Sequence, residues 1–365
     1  MHEDRRAERT SASPGNESAE RNTAPSTTRR TLLRTAGVAA GLPFLGRASA
    51  TPIDNPLDLN GNPWPDRRVL NIGHRGGLLE VPENTLFGLK QATATGIDMF
   101  ELDLKPTAEK TPVVYHDQTV NRTTGGSGRV NEQRLAELKD LDAAYWFVEG
   151  DGTTRDAPAG QYEYRGYATG ETQLPPGLGP RNGIEVEPND FRIPTLEETL
   201  EVATQLPTEL FLTISLPSTQ ERNPPYEVEQ RTAELLREYD RVGTDIVVAF
   251  DDAALERFKL QAPEVQTAVG QGRTAVQWAS SQGPLPGVRQ PRYDVLQVPV
   301  SYNGIQIVDE AFVRKAHANG YAVHVWVIND RSEMEWLLDI GVDGIMTDRP
   351  TVLGALLADR GVAYD

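Results

Sequence analysis

Residues 68–104 read RVLNIGHRGGLLEVPENTLFGLKQATATGIDMFELDL. The stretch begins with a short β-branched run, continues with an amphipathic segment and ends with a second apolar run. Apolar residues at helical spacing between two short extended runs are typical of a strand–helix–strand unit, whose two strands lie parallel. The stretch therefore predicts an α/β protein built on a parallel sheet.

The same alternation continues along the rest of the chain. Eight runs have the pattern of strands: Arg68–Gly73, Asp98–Leu104, Leu210–Leu216, Asp245–Phe250, Thr267–Gly270, Val295–Val298, Ala322–Ile328 and Gly344–Met346. Amphipathic helices lie between most of them, for example Glu83–Thr95, Leu196–Gln205, Glu227–Arg241, Val308–Asn319 and Glu333–Ile340. This order predicts a parallel (β/α)8 TIM barrel. A doubly wound open sheet is the alternative, but no glycine-rich phosphate loop opens the first helix.

One apolar run, Pro112–His116, does not fit the alternation. Only Lys105–Thr111 separates it from the second strand, whereas a crossover helix needs a dozen or more residues. The two runs therefore predict an antiparallel hairpin with its turn near Ala108–Lys110 and its pairing symmetric about residue 109. That register brings His116 back opposite Leu102.

The returning imidazole is expected beside Glu101 and Asp103, which stand two residues apart on the second strand. Side chains at this spacing project from the same face of a strand. Two carboxylates on a buried face repel each other unless a cation lies between them, and a hard divalent ion prefers oxygen ligands. The alternative is that both lie at the strand rim, solvated or paired with Arg75, and bind no metal.

The first strand ends in the sequence GHRGG at residues 73–77. In a barrel the C-terminal ends of the strands line the active site, so we expect His74 and Arg75 to converge with the carboxylate pair and His116. Such a set can split a phosphodiester. One imidazole takes a proton from the attacking hydroxyl, the other protonates the leaving oxygen, and the arginine and a metal balance the phosphate charge.

At these residues the chain resembles the glycerophosphodiester phosphodiesterase family, within the wider group of phospholipase-C-like barrel phosphodiesterases. The resemblance spans residues 68 to about 357, apart from one insertion. It rests on motifs at matching spacings: HRG at 74–76, PENT at 82–85, ELD at 101–103, VVYHD at 113–117, NRTT at 121–124, IPTLEE at 193–198, VWVIN at 325–329 and GVDGIMTDRP at 341–350.

The resemblance implies a barrel enzyme that hydrolyses glycerophosphodiesters to glycerol phosphate and an alcohol, with calcium or magnesium as cofactor. It also implies a set of site residues. These are the acid–base pair His74 and His116, the phosphate contact Arg75, the metal ligands Glu101 and Asp103, and the substrate-binding aromatic Trp326 at the pocket mouth.

The predicted strand Leu210–Leu216 departs from the family pattern. Similar proteins carry Glu-x-Lys there, whose Glu is the third protein ligand to the metal and whose Lys contacts the phosphate. Ser215 and Pro217 stand at those places, which makes Ser215 a weak metal ligand. Either the metal is held more weakly, or an acid such as Glu185 or Glu187 replaces the missing carboxylate, or the activity is attenuated.

A large insertion, residues 125–191, follows the second-strand hairpin within a barrel domain of residues 51–365. After a predicted helix at Glu132–Leu141, the insertion is rich in glycine, proline and aromatic residues. A long loop of this kind predicts a lid whose aromatic side chains cover the pocket and grip the leaving alcohol. The alternative is a small satellite core packed on the barrel rim.

Residues 1–50 differ in composition from the barrel domain. Residues 1–28 contain almost no large apolar residue, which predicts a disordered tail. Arg29 and Arg30, an apolar run that ends at Gly46 and the sequence ASA at 48–50 follow in the order of a twin-arginine-type signal peptide. The run is too short for a transmembrane segment, so we expect the twin-arginine machinery to export the protein, secreted or into the cell-envelope space. The alternative is a basic tail with an accidental apolar stretch.

The chain has 365 residues, a net charge of −17 and no cysteine. The charge argues against a nucleic-acid partner, and the lack of cysteine excludes disulfides, thiolate metal sites and cysteine nucleophiles. The sequence thus predicts an exported, metal-assisted hydrolase whose substrate is a glycerophosphodiester or a lysophospholipid. Two alternatives are a phosphodiester-binding protein without turnover and a phospholipase-D-like lipid phosphodiesterase.

Overall fold

The computed structural model describes residues 62–64, 67–92, 94–178, 184–218, 226–283 and 293–362. The predicted tail and signal peptide of residues 1–50 lie outside the described residues. Within the described part of the chain, no helix combines the length and the apolar content needed to cross a bilayer.

The described residues contain thirteen short strands. They are β1 Leu70–Gly73, β2 Met99–Pro106, β3 Pro112–Val114, β4 Phe147–Val148, β5 Gly152–Thr153, β6 Phe211–Ser215, β7 Ile246–Val248, β8 Gln266–Thr267, β9 Val295–Pro299, β10 Ser301–Tyr302, β11 Ile305–Gln306, β12 Ala322–Trp326 and β13 Gly344–Thr347. Eight of them pair in parallel in the order β8, β7, β6, β2, β1, β13, β12, β9. A parallel bridge between Ala268 and Val295 joins the two ends of this sheet. The predicted TIM barrel is confirmed, and the open doubly wound sheet is wrong.

The helices form a ring outside the strands. They are α1 Leu86–Ala92, α2 Leu135–Lys139, α3 Leu196–Gln205, α4 Tyr226–Glu238, α5 Asp252–Gln261, α6 Gln271–Ser281, α7 Glu310–Ala318, α8 Arg331–Ile340 and α9 Pro350–Asp359. All except α2 follow a barrel strand. Helix α1 begins at Leu86 and not at the predicted Glu83, because the Thr85 hydroxyl accepts the Gly88 N–H and caps the helix there.

The predicted hairpin is present between β2 and β3. Leu104 pairs with Val114, and Pro106 pairs with Pro112, so the pairing is symmetric about residue 109 as expected. The N–H of Tyr115 continues the ladder by donating to the Asp103 carbonyl at 2.8 Å. His116 therefore returns toward the C-terminal half of β2.

The floor of the barrel is filled by a tryptophan from the segment before β1. Trp64 packs in one cluster with the first residues of six barrel strands, namely Leu70, Met99, Phe211, Ile246, Val295 and Ala322. The side-chain amide of Asn62 donates to the carbonyls of Asp294 and Gly320. His324 lies deeper in the barrel, and its complete burial lowers its pKa to about 3. The candidate active site is therefore expected at the other end of the barrel, which we call the mouth.

The insertion has a core of its own. Phe147, Tyr164, Tyr167 and Phe191 are buried together against Phe87 of α1. Because these rings are packed against the outside of the barrel, they match the satellite core that was the alternative to a lid. A lid role for other parts of residues 125–191 stays a prediction.

Candidate active site

The turn after β1 presents two functional side chains at the mouth of the barrel. His74–Gly76 form a 3-10 turn in which Arg75 has a left-handed backbone, with φ 52°. A Cβ on Gly76 would lie 2.4 Å from the Phe100 ring, so glycine alone lets the turn lie this close to β2. The Arg75 N–H donates to Oε2 of Glu101 at 2.9 Å, which holds the strained residue in place.

His74 is oriented by a carboxylate from the far end of the chain. Strand β1 pairs with β13 so that Gly73 lies beside Thr347, and the next residues, His74 and Asp348, therefore meet. Nδ1 of His74 lies 2.6 Å from Oδ1 of Asp348, whose Oδ2 accepts from the Asn329 amide at 2.6 Å. Burial disfavours the charged imidazole, but the bond to Asp348 and the charge of Glu101 outweigh burial and raise the pKa of His74 above 6.5.

The Arg75 guanidinium lies among acidic side chains. It donates to Oε1 of Glu83 at 3.0 Å, and its Nε lies 3.4 Å from Oδ2 of Asp103. Asn84 donates to the same Asp103 oxygen at 3.3 Å. Burial opposes the charged form of Arg75, yet Glu83, Asp103 and Glu101 together raise its pKa. These carboxylates thus fix the position of the charged Arg75 side chain.

The predicted carboxylate pair lies where the hairpin register requires. Glu101 is buried, and burial together with the charge of Asp103 raises the pKa of Glu101 to about 7. Burial is the larger of these two effects. Two neighbouring carboxylates on one strand offer oxygen ligands that fit a hard cation, which would keep several of its water ligands.

The third ligand position is less complete. In the register between β2 and β6, Ser215 is the direct neighbour of Asp103, so its hydroxyl belongs to the same end of the barrel. Among the described residues, no group of three or more His, Asp or Glu side chains is arranged to hold a metal. Glu185 and Glu187 are both described and exposed, and neither joins Glu101 and Asp103 in such a group.

His116 is also held by a carboxylate, but the contact is local. Its Nδ1 lies 2.6 Å from Oδ1 of the next residue, Asp117. Arg122 donates to Oδ2 of Asp117 at 2.8 Å and to the two oxygens of Glu83 at 2.6 and 2.7 Å. An unbroken chain of ion pairs therefore leads from His116 through Asp117, Arg122 and Glu83 to Arg75.

This chain of ion pairs shifts the protonation of its buried members. Burial of Glu83 opposes its ionisation, but Arg122 and Arg75 outweigh burial and lower the pKa of Glu83 to about 2. His116 and Arg122 likewise hold the pKa of Asp117 well below its usual range, against the effect of burial. Glu83 and Asp117 stay charged at neutral pH and can orient their partners.

Trp326 lies at the last position of β12, in the half of the mouth away from these charges. Its ring meets the Phe250 ring edge-on, with centroids 5.9 Å apart. No contact joins Trp326 to His74, Arg75 or the carboxylate pair among those the structure gives for the described residues. The structure therefore brings Arg75, beside His74, into direct contact with Glu101 and Asp103 and links His116 to Arg75 through ion pairs. Trp326 lies two strands away from His74.

Four further residues of the site, Glu83, Asp117, Arg122 and Asp348, lie within the sequence motifs, which alone predict no role for them. Glu83, Asp117 and Asp348 each contact a histidine or an arginine of the site, and Arg122 joins Asp117 to Glu83. A detectable signal was present for Asp117 and Arg122, because an acid beside a histidine and an arginine five residues later are natural pairing partners. Asp348 is 274 residues from His74, and only the barrel topology brings the two together.

Comparisons with known proteins find relatives in sequence and in fold. The sequence profile of the glycerophosphoryl diester phosphodiesterase family matches residues 74–352. A glycerophosphodiester phosphodiesterase of Caldanaerobacter subterraneus subsp. tengcongensis is 28% identical over 295 residues, which cover 80% of this chain and 100% of the relative. One from Bacillus subtilis is 27% identical over 291 residues, covering 80% and 87%. A solved Oleispira antarctica phosphodiesterase, in complex with the product sn-glycerol-3-phosphate, superposes with a TM-score of 0.56 at 26% identity and covers 80% of this chain and 97% of its own.

Proposed function

This chain belongs to the glycerophosphoryl diester phosphodiesterase family, and we propose that it hydrolyses glycerophosphodiesters to glycerol phosphate and an alcohol. The observation that carries the proposal is the pair of histidines at one barrel mouth, each with Nδ1 2.6 Å from a carboxylate oxygen. Engaging Nδ1 leaves Nε2 of each ring to exchange protons with a substrate. The product bound in the Oleispira antarctica relative supports glycerol phosphate as the product here.

We assign opposite proton roles to the two imidazoles. The pKa of His74 is raised, which favours the protonated ring, so His74 is the imidazole assigned to donate a proton to the oxygen of the leaving alcohol. His116, held by Asp117, takes a proton from the attacking water molecule, whose oxygen forms the new bond to phosphorus as the bond to the alcohol oxygen breaks. Arg75 binds a non-bridging phosphate oxygen and offsets its negative charge.

A divalent cation belongs to the proposal, as calcium or magnesium. Glu101 and Asp103 would hold it, with Ser215 as a weak third ligand, and the position of Ser215 directly beside Asp103 supports this assignment. When bound, the cation would offset negative charge on the phosphate oxygens. With two carboxylates instead of three, the protein is expected to bind the cation loosely and to leave several positions to water and substrate.

The experiment that tests the proposal is a hydrolysis assay with glycerophosphocholine in the presence of calcium, magnesium or excess chelator. We expect release of glycerol phosphate and free choline, with a rate that falls in chelator. Binding of glycerophosphocholine without any turnover under all conditions would favour the alternative of a non-hydrolytic binding protein. Release of phosphocholine in place of glycerol phosphate would contradict the assigned leaving group.

We also propose that the protein is exported by a twin-arginine-type signal. The support is the order of Arg29, Arg30, the apolar run and the small residues at 48–50. Changing both arginines to lysine is expected to keep the precursor inside the cell, whereas Arg34→Lys serves as the matched control and leaves export intact. The exported protein is expected to begin near Thr51. Equal export of all three forms, measured by cell fractionation, would show that the signal is of another kind.

A further inference from the structure

The mouth of the barrel carries exposed apolar side chains that the proposed chemistry does not use. Within the described residues, five large apolar side chains are strongly exposed. Three of them, Phe250, Tyr302 and Ile305, lie in segments that directly follow the C-terminal ends of barrel strands. The other two, Leu260 and Val276, lie on helices of the outer ring. Exposed apolar residues that gather at one end of a fold mark a binding surface.

The hairpin formed by β10 and β11 presents two of these residues. Tyr302 and Ile305 are cross-strand partners, so their side chains lie on the same face, and both are 49% exposed. Asn303 and Gly304 between them have φ of 49° and 78°, the left-handed values of a tight two-residue turn. The indole of Trp278 donates to the Gln306 carbonyl at 3.0 Å and anchors the hairpin to α6.

These residues continue from Trp326 around one half of the mouth. Phe250 follows β7, is 68% exposed and contacts the Trp326 ring. Pro299 pairs with Trp326, and the hairpin begins two residues after Pro299. We call Phe250, Trp326, Tyr302 and Ile305 the apolar rim.

The apolar rim lies within reach of a ligand bound at His74. Strand β12, which ends in Trp326, is separated from β1 by β13 alone. Two steps between neighbouring strands correspond to about 10 Å. A phosphodiester held by His74 and Arg75 can therefore extend an attached hydrocarbon chain over Trp326 to Phe250.

We propose that the apolar rim binds the hydrocarbon chain of the substrate, so that the preferred substrates are single-chain lysophospholipids. The inference rests on the proposed function, since it names the substrate class of the same site. Its occupant is a soluble lipid monomer and not an anionic membrane surface, because the net charge of −17 opposes binding to such a surface. The polar half of the mouth takes the phosphate, and the apolar half takes the chain.

The test compares two soluble substrates that differ by the chain. We would measure kcat/KM for glycerophosphocholine and for 1-octanoyl-lysophosphocholine below its critical micelle concentration. Each fully buried methylene raises affinity about fourfold, so partial burial of the octanoyl chain predicts a preference of at least about tenfold. The difference is expected mainly in KM.

Variants of the rim connect this preference to the residues. Phe250→Ser and the double change Tyr302→Ser and Ile305→Ser are expected to reduce the preference toward one. Leu260→Ser is the matched control, because Leu260 is 73% exposed but lies near the end of α5, away from the mouth. The control is expected to keep the wild-type preference.

The outcomes separate this inference from the proposed function. Hydrolysis of both substrates with equal kcat/KM, or a preference that no rim variant changes, would overturn the inference and leave the proposed function intact. A preference that appears only with micelles or vesicles would also overturn it in favour of membrane docking. If neither substrate is hydrolysed, calorimetry with octanoyl-lysophosphocholine decides. Tight binding that the rim variants weaken supports the lipid site, and no binding overturns it.

Discussion

The two histidines of the site reach the mouth of the barrel by different routes. The His74 side chain is 17% exposed, and its partner Asp348 arrives through the pairing of β1 with β13. The His116 side chain is 42% exposed, and its partner is its own neighbour in sequence, fixed by Arg122. The position of His74 thus depends on closure of the whole barrel, whereas that of His116 depends on a local hairpin and a chain of ion pairs. Water can substitute for a lost contact more readily at His116 than at His74.

The largest expected effect comes from removing either imidazole. His74→Ala and His116→Ala are each expected to lower the hydrolysis rate by ~10² or more without unfolding the barrel, because each ring transfers one proton. His317→Ala is the control, since His317 lies on α7 and pairs with Asp343. Rates and circular dichroism would be measured for all three. Near-wild-type turnover in either site variant would remove that histidine from the mechanism.

The next effect sharpens the comparison between the orienting carboxylates. Asp348→Asn is expected to lower the rate by roughly 10- to 10²-fold, and Asp117→Asn by less, because His116 is more exposed to water. Asp348 raises the pKa of His74, so its loss lowers that pKa. As His74 must be protonated to donate, the alkaline limb of the pH–rate profile is expected to move to lower pH. An unshifted profile with an equal loss in both variants would contradict the difference between the two routes.

A smaller effect is expected from Arg122→Lys. Lysine keeps the charge but cannot bridge Asp117 and Glu83 with several donors at once. We expect a loss of about tenfold in kcat with little change in KM, because Arg122 positions His116 and Arg75 without touching the substrate. The matched control is Arg129→Lys, which changes a more exposed arginine that pairs with Glu132. A change in KM alone would show that Arg122 binds the substrate directly.

The smallest effect concerns the metal. Ser215→Glu adds a third carboxylate next to Asp103 and is expected to raise the affinity for calcium and magnesium by about tenfold. Activity at low metal concentration is expected to rise with it. Pro217→Lys, which adds only a phosphate donor, is expected to help less. If wild type is fully active in excess chelator and Ser215→Glu changes neither calorimetry nor rate, the metal assignment is wrong.

The barrel and the hairpin register could be predicted because both follow from local patterns. The pattern of apolar residues and the length of the loop alone predicted the register about residue 109. This register brings His116 toward Glu101 and Asp103. The prediction that α1 starts at Glu83 was wrong. Asn84 has a left-handed φ of 54°, and the Glu83 side chain accepts hydrogen bonds from two arginines. The periodicity of apolar residues predicts neither feature.

The partners of the site residues were harder to predict. The contact between Asp348 and His74 depends on which strands close the barrel. The chain of ion pairs at Arg122 depends on where the loop after β3 folds back. The aromatic residues of the insertion have the composition of both a lid and a core, and only packing distinguishes the two. Tyr164 and Tyr167 are buried against Phe191, which composition alone could not decide.

Trp64 at the barrel floor is translated before the strands against which it packs. Asn62 and Trp64 leave the ribosome before any strand of the barrel, yet Asn62 bonds to carbonyls 232 and 258 residues later in the chain. At about 5–20 residues per second, the later of these partners is made roughly 13 to 50 seconds after Asn62. The first described segment is therefore among the last to find its place. An apolar side chain remains exposed during this interval, and a nascent chain that stalls before residue 320 leaves the barrel open at its base.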